Sequence, residues 1–143
     1  MGHGIAVRWL LWALTALFAA RVAGQAVQRW VPVPWLPPQE AFQGSNLSYA
    51  ALLSTQLAIL AVMAFASWRV FPGRMAASPR LAHWLAWSGG LYMAIALGRI
   101  AVGLLAPQAP AWFRAWVPAA FHVVLAAFVI ALCVYHSRKP RRG

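Results

Sequence analysis

Four long apolar stretches dominate the pattern of hydrophobic and polar positions along the chain. They cover residues 5–27, 47–71, 81–105 and 115–135. Each is close to the ~20 residues that a helix needs to cross ~30 Å of hydrocarbon. The pattern therefore predicts an all-α integral membrane protein, a four-helix bundle formed as a single domain by residues 1–143 and ending in a basic tail over residues 136–143.

The first stretch has a second interpretation. Arg8 and Arg21 bracket an apolar run of only twelve residues, which fits the core of a signal peptide, and residues 22–24 are small, as a signal peptidase requires. Arg21, however, lies close to that cleavage position, and Arg8 can extend its guanidinium to the membrane interface if the helix is retained. We prefer a retained helix to a cleaved leader, and the other three spans are predicted in either case.

Composition supports a membrane protein and excludes several classes of function. The chain is 63% hydrophobic and 9% charged, whereas soluble domains are about 45–50% apolar and about a quarter charged. Twelve basic residues and one acid, Glu40, give a formal net charge of +11. The bases are scattered between apolar runs rather than gathered on one soluble face, so the expected partner is the lipid bilayer and not nucleic acid.

Few catalytic arrangements are compatible with this composition. One acidic residue excludes a paired-carboxylate active site. One cysteine, Cys133, excludes an intramolecular disulfide and a thiolate zinc site. The serines and threonines lie in no recognisable nucleophile motif, and such residues in membrane helices usually bond to backbone or to neighbouring helices. A non-enzymatic role is therefore expected, without excluding an enzyme.

The distribution of basic residues predicts the orientation. Eight of them fall near the N-terminus, in the second connection and in the C-terminal tail: Arg8, Arg69, Arg74, Arg80, Arg138, Lys139, Arg141 and Arg142. The first and third connections hold only Arg29 and Arg114. Because positive charge collects in cytoplasmic loops, we expect both termini in the cytoplasm of a cell with a bacterial-type inner membrane.

The connections between the spans give further expectations. The proline-rich residues 31–38 predict a stiff segment, and a polar turn follows it up to residue 46. This connection has two interpretations. It is either a cover over the bundle, anchored at the interface by Trp35 and Phe42, or a plain linker. Ser78 and Pro79 predict a helix start.

Small residues at a spacing of four predict the helix contact faces, in one bundle or in a small homo-oligomer. They are Ala86, Gly90, Ala94 and Gly98 in the third stretch, with Ala50, Ser54, Ala58 and Ala66 in the second and Ala16, Ala20 and Gly24 in the first.

Each apolar stretch also carries one polar residue at a similar depth below the outer face. These residues are Arg21, Gln56, Arg99 and His122. A central arginine costs at least ~2.5–3.5 kcal/mol to insert, so two of them need an explanation. Guanidinium forks suit carboxylate or phosphate, which predicts a binding site for an anionic or lipid-like ligand, with Glu40 in the outer connection as the only available acid.

Of the two interpretations of this layer, the structural one is slightly preferred. In it, Arg21 pairs with Glu40, Arg99 reaches the outer head groups, and Gln56 bonds to His122 across the helices. Gln25 serves either interpretation.

Two further histidines suggest a second class of function. His83 opens the third stretch and His136 closes the fourth, so both lie at the inner interface and could ligate a b-type haem. Apart from this haem, no metal or cofactor is predicted. The preferred function is non-enzymatic binding, transport or an accessory role; the alternatives are a haem-carrying redox subunit and a scaffold subunit of a larger membrane complex.

Overall fold

Four long helices and two short ones make up the described part of the protein. The computed structural model describes residues 2–42, 48–71 and 76–137, except for the side chains of residues 2–4, 40 and 111. The helices are α1 (Gly2–Trp30), α2 (Gln39–Phe42), α3 (Tyr49–Val70), α4 (Pro79–Leu105), α5 (Ala111–Arg114) and α6 (Trp116–His136). The long four are apolar enough to cross a membrane, and the described residues contain no strand. The predicted all-α four-helix bundle is confirmed, with bounds within three residues of those expected.

Local chemistry explains two of the helix starts. Ser78 Oγ accepts a hydrogen bond from the backbone N–H of Leu81 at 3.4 Å, and Pro79 occupies the first helical position of α4. Serine at the cap satisfies an otherwise free N–H, and proline has no N–H to lose. The predicted helix start at Ser78 is therefore confirmed, and Ser48 caps α3 in the same way through the N–H of Ala51.

The two inner helices of the bundle are α1 and α6, which pack against each other. Among the long helices, α3 packs mainly against α1, and α4 packs mainly against α6. The main hydrophobic core is shared by α1, α3 and α6: Leu11, Phe18, Val22, Met63, Ala66, Val70, Phe128, Ala131 and Tyr135. The helices α3 and α4, although consecutive spans, are not in substantial contact.

Buried positions recur every seven residues, and not every four as predicted. On α4 the residues that face α6 are Ala82, Gly89 and Ala96, whereas Gly90 and Gly98 face open space. A step of four residues advances 40° around a helix, so a stripe of four such residues turns away from a straight partner; a step of seven drifts by only about 20°. The prediction that Ala86, Gly90, Ala94 and Gly98 form the contact face within the bundle is therefore wrong, because all four are exposed.

Two polar pairs join α1 to α3 within the apolar core. Thr15 Oγ1 and Ser67 Oγ lie 3.1 Å apart, and Gln56 Nε2 donates to Gln25 Oε1 at 3.1 Å. All four residues are buried. Since lipid provides no hydrophobic drive between helices, such bonds help to fix the pairing and register of α1 and α3.

Several sequence predictions lie outside the described residues. They concern the side chain of Glu40, the polar turn at residues 43–46, the loop residues 72–75 and the basic residues from Arg138 onward.

Candidate functional site

A cavity of about 250 Å³ lies at the end of the bundle where α1 and α4 finish and α3 and α6 begin. All six helices contribute to its walls. The lining residues are Phe18, Arg21, Phe42, Leu52, Thr55, Gln56, Ile59, Arg99, Trp112, Pro118, Phe121, His122 and Leu125. Polar groups are therefore concentrated in a largely apolar enclosure, which is typical of a ligand site.

The four polar residues expected at one depth lie at similar distances from the helix ends on this side of the bundle. At a rise of 1.5 Å per residue, Arg99 is about 9 Å from the end of α4 and His122 about 9 Å from the start of α6. Gln56 is about 10 Å below the start of α3, and Arg21 is about 14 Å from the end of α1. The structure thus brings together four of the five predicted site residues around one cavity.

The Arg21 guanidinium is held by neutral acceptors. Its Nη1 donates to Gln25 Oε1 at 2.9 Å, and its Nη2 donates to the carbonyl oxygen of Phe42 at 3.3 Å. The guanidinium carbon also lies 5.5 Å from the centroid of the Phe121 ring. Arg21 is only 8% exposed, so its charge is enclosed by the protein.

The Arg99 guanidinium is also held by a neutral acceptor. Both Nε and Nη2 donate to the carbonyl oxygen of Trp112, at 3.1 and 2.7 Å, and the guanidinium carbon lies 3.9 Å from the centroid of the Trp112 ring. Arg99 is 5% exposed. The expectation that it extends to the lipid head groups is therefore wrong, because α5 folds back over the end of α4 and supplies an acceptor inside the protein.

Gln25 links the arginine to Gln56. Because a guanidinium can only donate, Gln25 presents its oxygen to Arg21, and the same oxygen accepts from Gln56 Nε2. The expected Gln56–His122 hydrogen bond is therefore absent among the described contacts. Gln56 Oε1 and Arg21 Nε are buried without a partner among the described residues.

His122 bonds to a residue that sequence reasoning missed. Its Nδ1 lies 2.6 Å from Tyr92 Oη, with the two rings in edge contact. Tyr92 precedes Arg99 by seven residues, so both lie on the face of α4 that meets α6. That seven-residue spacing was the available signal for Tyr92.

The first connection contributes to the cavity more deeply than expected. Phe42, predicted to be an interfacial anchor, is 5% exposed and lines the cavity, because residues 39–42 form the short helix α2, which packs on α6 and α1. Trp35 is exposed. Glu40 lies on α2, which supplies the carbonyl that bonds to Arg21; its side chain lies outside the described residues.

The two histidines at the opposite end have different surroundings. His136 is 2% exposed, and its Nδ1 accepts a hydrogen bond from the backbone N–H of Ser78 at 3.2 Å. His83 is exposed and contacts the Trp87 ring. Among the described residues, no group of three or more histidine, cysteine or acidic side chains could hold a metal ion. The haem interpretation stays a prediction.

The chain was also compared with known proteins. Searches against protein-family models, curated proteins and solved structures found no match.

Proposed function

We propose that this multi-pass membrane protein is a non-enzymatic binding, transport or accessory protein, whose cavity holds the anionic group of a ligand between Arg21 and Arg99. The observation that carries this proposal is that both guanidiniums are buried on one cavity and hydrogen-bond only to neutral oxygen atoms among the described residues. Gln56, His122 and Thr55 add further polar groups to the lining, and Glu40 belongs to α2.

The charge balance of the site favours an anion. Like charges that share a region of low dielectric repel each other, and burying each one is costly unless a counter-charge is present. Glu40 is the only acidic side chain in the chain, so it can neutralise at most one of the two guanidiniums. A bound carboxylate or phosphate would supply the missing negative charge.

Hydrogen-bonding capacity also favours an anion. Each guanidinium has five N–H donors. The described contacts use two donors of Arg21 and two of Arg99. Three N–H donors on each guanidinium are therefore unused by the described contacts. Charge-assisted bonds from arginine to carboxylate or phosphate are among the strongest that proteins make.

The same contacts support a structural role for the arginines, and the two roles are compatible. The hydrogen bond from Arg21 to the Phe42 carbonyl holds α2 against the bundle, and the hydrogen bond from Arg99 to the Trp112 carbonyl holds α5. A purely structural role would need only hydrogen-bond donors. It does not explain why two full charges are placed on one cavity.

The predicted topology supports a position of this cavity towards the outer face. If both termini are cytoplasmic, as the basic residues predict, the end that carries α2 and α5 faces outward in a bacterial-type inner membrane. We propose this orientation together with the binding role.

The test is binding of cis-parinaric acid, a fluorescent carboxylate with an acyl chain, to the purified protein in neutral detergent. Arg99→Gln and Arg21→Gln keep hydrogen-bond donors but remove the charge, and Arg80→Gln is the control because Arg80 is exposed at the other end of α4. We expect each cavity variant to weaken binding by about tenfold or more, as loss of a charge-assisted bond of about 1.5–3 kcal/mol requires.

Equal binding by wild type, Arg99→Gln and Arg21→Gln, with thermal unfolding unchanged, would refute the binding role and leave the structural one. If Arg80→Gln weakened binding as much as the cavity variants, attraction to the net positive charge would explain the affinity, and the proposal would also be overturned.

A further inference from the structure

We infer that the ligand is an anionic membrane lipid that reaches the cavity sideways from the bilayer, through the gap between α3 and α4. In this arrangement the anionic head group lies at Arg21 and Arg99, and the acyl chain extends into the gap. The inference rests on the proposed function and adds the ligand class and the route of access.

The gap follows from the packing order of the helices. The spans pack in the order α3, α1, α6, α4, so α3 and α4 are at the two ends of the row and are not in substantial contact. The cavity nevertheless takes lining residues from both of them, Gln56 and Arg99 among them. Because α3 and α4 make little contact, we place the opening of the cavity between them.

The position of the opening places it beside lipid rather than water. Among the lining residues, Thr55 on α3 and Trp112 on α5 are exposed, so they mark the opening. Thr55 lies six residues into α3, about 9 Å along the helix from its start. Because α3 is long enough to span the ~30 Å hydrocarbon layer, an opening at this depth faces the acyl chains of the adjacent leaflet.

Two short helices narrow the direct route from water. The helix α2 lies over the end of α6 and α1, with Phe42 buried on the cavity. On the other side, α5 packs against the end of α4 and carries the Trp112 carbonyl that binds Arg99. These two helices favour access from the side over access from the end of the bundle.

The size and polarity of the cavity fit the polar end of an amphiphile. Its volume of about 250 Å³ is below the about 300–1,000 Å³ of pockets that enclose a whole drug-sized ligand. It can hold a head group, while a lipid chain must lie outside it. Deeper in the bundle than the arginines, the walls become apolar at Phe18, Ile59 and Leu125, which suits the first carbons of such a chain.

The experiment uses the full chain in phosphatidylcholine nanodiscs that contain an increasing fraction of phosphatidic acid. Lipid that stays bound after release from the nanodisc is counted by native mass spectrometry. Thr55→Trp narrows the opening without altering a guanidinium, and its own hydroxyl bonds only to the Ala51 carbonyl among described contacts. Leu57→Trp is the matched control, because Leu57 is exposed on the same helix and does not line the cavity.

We expect wild type and Leu57→Trp to retain phosphatidic acid equally, and Thr55→Trp to retain about tenfold less at the same lipid fraction. Excess inorganic phosphate should not displace the lipid, because it lacks the chain that occupies the gap.

Two results would overturn the inference, and they are distinguishable. If inorganic phosphate binds as tightly as the lipid and Thr55→Trp has no effect, the site takes a soluble anion from water, and the proposed function survives without lateral access. If neither phosphate nor phosphatidic acid binds to the wild type, both proposals fail.

Discussion

Two adjacent glycines on α4 provide a strict test of the helix packing. A Cβ atom added at Gly89 would lie 3.0 Å from Val129 Cγ1 and 3.1 Å from Ile130 Cγ1 on α6. A Cβ atom added at Gly90 would meet nothing within 4 Å. The variants Gly89→Ala and Gly90→Ala therefore make the same chemical change, once against α6 and once on the free surface of α4.

The expected magnitude follows from two opposing terms. Replacing glycine by alanine inside a helix is worth up to about 1 kcal/mol, and this gain is shared by both variants. Overpacking an interface costs typically about 1–3 kcal/mol, and this cost applies only at Gly89. Val129 and Ile130 are β-branched and have little χ1 freedom with which to move aside. Gly89→Ala should therefore be about 1–3 kcal/mol less stable than Gly90→Ala.

The measurement is the free energy of unfolding in mixed micelles titrated with sodium dodecyl sulfate, followed by near-ultraviolet circular dichroism and checked by pulse proteolysis. We expect Gly90→Ala to unfold at or above the wild-type midpoint, and Gly89→Ala below that of Gly90→Ala. Equal midpoints for the two variants, or a lower one for Gly90→Ala, would refute the packing of α4 on α6 through Gly89.

Three further predictions concern the contact between α1 and α3, the role of α5 and the orientation of the termini. In a double-mutant cycle with Gln25→Leu and Gln56→Leu, the coupling energy for unfolding should be about 0.6 kcal/mol and at most about 1.7 kcal/mol, as for hydrogen bonds between other membrane helices. Additive effects of the two substitutions would contradict the hydrogen bond between Gln25 and Gln56. Gly103→Ala should weaken parinarate binding, because its Cβ atom would collide with the Phe113 backbone and displace α5. Gly98→Ala, whose Cβ atom would lie in open space, should leave binding unchanged, and equal effects of the two variants would count against the role of α5. A C-terminal green fluorescent protein fusion should fluoresce and an alkaline phosphatase fusion should be inactive, and the reverse would contradict cytoplasmic termini.

The length and position of the membrane helices were predictable because hydrophobic length has a direct physical cause. Backbone polar groups in hydrocarbon must be satisfied within the segment, so an apolar run of the right length forms a helix whatever its neighbours. The depth of polar residues was predictable for the same reason: helix rise converts sequence position into depth, and Gln56 and His122 therefore lie at similar levels.

The packing faces were not predicted correctly, because the spacing of small residues was read with a period of four. The buried positions instead recur every seven residues, as Leu11, Phe18 and Gln25 do on α1, which is the period that keeps residues on one side of a long helix. With that period, Gly89 and Gly103 rather than Gly90 and Gly98 are the close-contact glycines, as the structure has them.

The partners of the polar residues depend on tertiary structure and had no local signal. Arg99 finds its acceptor in the Trp112 backbone only because α5 folds back over the end of α4. His122 meets Tyr92 because α4 packs on α6, which requires the order of helices in the bundle. Helix rise alone predicted that these residues lie at one level, and the fold determined which of them are in contact.

The most direct test of an anion site between Arg21 and Arg99 is a crystal structure of the protein grown from lipidic mesophase with 12-bromododecyl phosphate. We predict phosphate oxygens within about 2.7–2.9 Å of a nitrogen of Arg21 or Arg99, and an anomalous bromine peak in the gap between α3 and α4. Phosphate bound elsewhere at saturating ligand, with neither arginine in contact with it, would contradict the proposed site.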